Sequence, residues 1–103
     1  MRRTAETHDR ILRELNEERA AALRRISQTL EALIVQLRAA GDGLALTRGE
    51  ERARAVSAYR ALRARTLEYR WFLEVQREAM GLRQHHRLDE FYPIPADRSL
   101  PDS

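Results

Sequence analysis

The densest group of side chains able to do chemistry is His85-His86-Arg87-Leu88-Asp89-Glu90. On a continuous helix, His85 with Asp89 and His86 with Glu90 stand four residues apart, a spacing that sets two metal ligands on one face. A third ligand would have to come from His8, far off in the sequence. Gly81 and Pro93 flank the cluster and interrupt helix on both sides. The cluster therefore reads first as the charged end of a helix, where the dipole favours basic groups. No metal and no cofactor is expected.

Other chemistries are narrowed by composition. The 103 residues contain no Cys, which removes thiolate nucleophiles, disulfides and Cys-ligated metals. All nineteen basic residues are Arg, so lysine Schiff bases and P-loop lysines are excluded. That bias reads as the codon usage of a GC-rich bacterial genome. No Glu is followed three residues later by His, the pair a di-iron bundle requires. No nucleophile–base pair or glycine-rich loop stands out, and no enzymatic activity is expected.

Binding is the remaining class. The second half of the chain is rich in Arg, with Arg52, Arg60, Arg63 and Arg70 as candidate phosphate contacts for a nucleic acid. Against this, the net charge is only +3, and Arg alternates with Glu along the first half, as on a salt-bridged surface. Nucleic-acid binding is the alternative reading, behind a structural or protein-interaction role. No run of residues has the apolar length of a membrane span, and the first residues are charged. The expectation is a cytoplasmic protein without membrane contact.

These side chains must be positioned by helices. Charged residues make up 34% and aromatics 6%, a mixture suited to long solvated helices. The spacing predicts an all-α chain forming one domain over 1–103, an antiparallel two-helix hairpin with arms of similar length. Helix 1 runs over about 5–40, with the seam Leu23, Ile26, Leu30, Leu33, Leu37 in steps of three and four. Gly41-Asp42-Gly43 is the strong break, Gly41 serving as the residue after the helix end. A loop follows over 41–47, and Thr47-Arg48-Gly49-Glu50 reads as a capping box. Helix 2 is placed over about 48–84, with the seam Ala55, Tyr59, Leu62, Thr66, Tyr69, Leu73, Gln76, Met80. Gly81 marks either a close helix approach or an early end. The tail, 85–103, is extended around Pro93 and Pro95, and 98–103 reads as a frayed end.

Helix 2 also carries a second apolar stripe. With the tail aromatics it supplies the candidate interface: Tyr69, Trp71, Phe72, Val75, Gln76, Ala79, Leu82, Phe91 and Tyr92. An exposed stripe of that size calls for cover, so the hairpin is expected to homodimerise into a four-helix bundle. An unidentified protein partner is the other candidate occupant, and a monomer would need its tail to fold back over the stripe. Gln76-Arg77-Glu78 is expected to form an interhelical polar network that specifies the dimer, with a small polar pocket in the bundle as the alternative reading.

The segment Trp71-Phe72-Leu73-Glu74-Val75-Gln76-Arg77-Glu78-Ala79-Met80-Gly81-Leu82-Arg83, followed by Tyr92-Pro93-Ile94-Pro95, resembles the C-terminal signature of a small bacterial all-helical family of unknown function. The match covers about a quarter of the chain. Met80 stands where Cys is expected in that family, and Arg87-Leu88-Asp89-Glu90 departs from its linker. The resemblance implies an all-helical fold and no particular activity or site residue.

Overall fold

The computed structural model describes residues 2–101. Three helices follow in order: α1 (Arg2–Leu44), α2 (Gly49–Ala79) and the short α3 (Leu88–Phe91). The first two pack antiparallel as the expected hairpin, and no strand occurs among the described residues.

The core is the seam between the long helices. Tyr59, Thr66 and Leu73, seven residues apart on α2, are all buried. They face Leu30, Leu33, Ile34 and Leu37 of α1, which are buried too. Burying each such leucine or isoleucine stabilises the hairpin by about 1.5–3 kcal/mol. Thr66 is fully buried at no unpaired polar cost, because its hydroxyl donates to the Leu62 carbonyl at 2.8 Å.

The reversal lies later than the glycines suggest. α1 runs straight through Gly41 and Gly43 and ends at Leu44. Each helical glycine costs about 1 kcal/mol relative to alanine. Leu44, one heptad beyond Leu37, offsets that by burying beside Leu37 and Tyr59. The turn then occupies residues 45–48, and Gly49 enters α2 at φ +62°. The capping box does not form. Arg48 is the N-cap, with no side-chain cap, and the Thr47 hydroxyl instead donates backward to the Leu44 carbonyl at 3.0 Å. Arg52 donates to the same carbonyl at 2.6 Å, placing a cation at the negative end of α1.

α2 stops at Ala79, five residues before the expected Gln84. The cause is Gly81, at φ +85°, which closes the helix with paired hydrogen bonds. The Gly81 amide donates to Glu78 and the Leu82 amide donates to Arg77, both at 2.9 Å. The chain then turns back along α2. The segment expected to be extended holds the single turn of α3, whose Leu88 buries against Leu30, Ile34 and Leu73. Ile94 packs on both core clusters, so the tail lies in cis in the groove between the two long helices.

The arms are therefore unequal. α1 has 43 residues and α2 has 31. The molecule is a slab of 72 × 24 × 14 Å. From Thr4 to Glu18 every residue of α1 is exposed, burial beginning only at Arg19. This overhang, about 22 Å at 1.5 Å per residue, projects past the C-terminal end of α2.

Candidate interaction surface

On α2, Leu67, Trp71 and Val75 recur every four residues and form one stripe. Trp71 lies two positions from the buried Leu73, about 200° round the helix, so the stripe faces away from α1. Trp71 is 58% exposed, and Leu67, Val75 and Leu82 are exposed beside it. Phe72 is half-buried at the stripe's edge. Its ring meets Tyr69 edge-on at 5.4 Å and Trp71 at 5.6 Å, tying the seam to the outer face. Ala79 is exposed on the same side of the helix.

The remaining interface candidates separate from that stripe. Tyr69 and Tyr92 pack against the hairpin core. Phe91 is exposed, with the Arg87 guanidinium 5.5 Å from its ring centre. Gln76 is half-buried at the margin of the seam. Within the single chain, the polar contacts of Arg77 and Glu78 are local. Arg77 donates to the Gln84 carbonyl at 2.8 Å and to His85 Nδ1 at 3.4 Å, while His85 Nε2 lies 3.1 Å from Glu78 Oε1. This triad closes the end of α2.

The four candidate phosphate contacts are engaged within the chain. Arg52 holds the end of α1, as above. Arg60 donates to the Ser99 hydroxyl at 3.1 Å, and Arg63 reaches the Pro95 carbonyl at 3.5 Å. Arg70, largely buried, bonds Glu74 at 2.7 Å and Asp89 at 3.1 Å. Arg63, Arg70 and Arg77 lie one heptad apart and clamp the returning tail at three successive heights. Their common spacing is visible in the sequence; their ligand, the chain's own C-terminal segment, is not.

The His85, His86, Asp89, Glu90 cluster is taken apart by the same reversal. Residues 82–87 are not helical, so the four-residue spacing places no pair on one face. His85 turns to Glu78, Asp89 to Arg70, and Glu90 sits 3.8 Å from Arg87. Among the described residues no group of three His, Asp or Glu is placed to hold a metal. No family model, curated protein or solved structure matches the chain. No helix among the described residues is long and apolar enough to cross a membrane.

The end expected to fray over 98–103 is instead anchored at its start. Arg98 pairs with Asp42 of α1, and Ser99 meets both Arg60 and Asp97. Asp102 and Ser103 lie outside the described residues. Nor does the sequence reveal the α1 overhang, which follows from the late turn after Leu44 together with the early end of α2 at Ala79.

Proposed function

We propose that this chain is a bacterial, cytoplasmic structural or protein-interaction module with no catalysis of its own, acting as a homodimer of four long helices. One observation carries the reading: an uncovered apolar stripe on α2, centred on Trp71 and facing away from the hairpin core. The tail does not relieve it, since the tail fills a different groove. Contiguous exposed apolar surface of this kind marks an interaction site. The alternative, nucleic-acid binding through the α2 arginines, is weakened by the intrachain engagement of Arg52, Arg60, Arg63 and Arg70.

Trp71 is the sole tryptophan and reports on the stripe directly. Its fluorescence, followed as the purified chain is concentrated, is expected to shift to the blue as the ring leaves water. Emission typical of a solvated indole at every concentration overturns the homodimer. Tight, salt-sensitive duplex DNA binding at about 50 mM salt would favour the alternative.

A further inference from the structure

Each long helix of the hairpin keeps an exposed apolar patch. One is the α2 stripe. The other lies on the α1 overhang, where Ile11, Leu12 and Leu15 are all exposed. Leu12 and Leu15 continue the side of α1 that meets α2 further along, so their natural occupant is a helix in line with α2. This chain has none to offer there. α2 is capped at Gly81, and the segment after it turns back toward Leu44 and packs between the helices.

We propose that the overhang of each chain docks on the α2 stripe of a second copy, the two contacts being reciprocal. The arrangement follows from a two-fold axis at the end of α2. Set the α2 helices of two copies end to end at their Gly81 caps. Each α1, running on past its own α2, then lies along the α2 of its mate, on the face opposite that mate's α1. That is the face carrying Leu67, Trp71 and Val75.

The distribution of side chains along this face supports the placement. Its N-terminal half presents Ala53, Ser57, Arg60 and Ala64, with no large apolar residue. The large apolar residues are Leu67, Trp71 and Val75, after which Glu78 and Ala79 lead to the cap. From Leu67 to Ala79 is about 20 Å, close to the length of the overhang. The stripe thus occupies the portion of α2 that a mate's overhang reaches, and Leu82 falls at the join. A single contact of about four helical turns is small beside the ~1,200 Å² a stable dimer buries, and the two-fold axis supplies two such contacts.

This proposal rests on the homodimer reading and names the surface of the second copy. It is tested by light scattering of the full chain, of Leu12→Glu and of Trp71→Glu, with circular dichroism to verify that each variant stays helical. Both substitutions fall at exposed positions outside the hairpin core. The native chain is expected to run at twice 12.0 kDa and each variant at 12.0 kDa. An equimolar mixture of the two variants is expected to recover dimer, more weakly, because one of the two contacts is intact. A native dimer indifferent to Leu12→Glu overturns the docking proposal while leaving a stripe-to-stripe bundle. A native dimer that Trp71→Glu leaves whole, or two monomeric variants that do not associate on mixing, also overturns it. A monomeric native chain overturns the homodimer itself.

Discussion

The Tyr59 hydroxyl accepts a hydrogen bond from the Arg98 amide at 3.0 Å, across 39 residues of sequence. The same hydroxyl donates to the Ala96 carbonyl at 3.3 Å, so one buried side chain of α2 grips the returning tail twice. Tyr59→Phe keeps the ring in the core and removes both bonds. A loss of about 1 kcal/mol is expected in urea denaturation, since the backbone groups it frees can reach water. Hydrogen exchange should quicken selectively at the amides of 97–99. Unchanged exchange there would show that the apolar contacts of Ile94, and not Tyr59, hold this part of the tail.

The glycines make opposite predictions. Gly43 is helical, and a methyl group added to its Cα would meet nothing within 4 Å, so Gly43→Ala should stabilise by about 0.5–1 kcal/mol. Gly81 is equally open, yet it holds φ +85° at the end of α2. Gly81→Ala should therefore destabilise by about 1 kcal/mol through backbone strain alone. Thermal melts of the two variants should move in opposite directions. A destabilising Gly43→Ala would restore the turn to 41–43.

The hairpin was legible because its cause is local: apolar steps of three and four name one face of each helix whatever the partner. Tyr59, Thr66 and Leu73 follow directly from that rule. The turn was not legible, because glycine content favours a break at 41–43 while the burial of Leu44, a tertiary event, carries the helix onward. The end of α2 was open between two readings of Gly81 for the same reason. For the candidate surface, the Trp71 stripe could be read from periodicity. The arginine clamp could not, since a heptad of Arg63, Arg70 and Arg77 does not say what it grips.

Arg63 tests whether that clamp is held by charge or by packing. Its Nε is buried without an acceptor, and its one bond to the tail is long, at 3.5 Å. An unpaired buried donor detracts from stability, and an apolar chain of similar volume removes that penalty. Arg63→Met is therefore expected to be neutral or stabilising by up to about 1 kcal/mol in urea denaturation. A loss above about 2 kcal/mol would show that the guanidinium itself secures the tail.

Asp97 should make the last turn of the tail sensitive to acid. The Ser99 hydroxyl donates to its carboxylate at 2.6 Å, and the Ser99 amide at 2.9 Å. These bonds, the hydroxyl foremost, hold the carboxyl below the ordinary aspartate range, with Arg63 and Arg60 adding a smaller pull the same way. A carboxyl whose folded pKa is depressed contributes stability that is complete above the unfolded value, about 3.9. That contribution is lost as the pH falls through the lower, folded value. The Ser99 turn is thus expected to persist at pH 5 and to loosen only below about 4. Carboxyl-carbon NMR of the native chain should place the Asp97 midpoint below that of a free aspartate. In Asp97→Asn, the Ser99 signals should lose the part of their acid dependence that belongs to this group. An ordinary midpoint for Asp97, or identical Ser99 profiles in the two proteins, would mean that the carboxylate does not hold the turn.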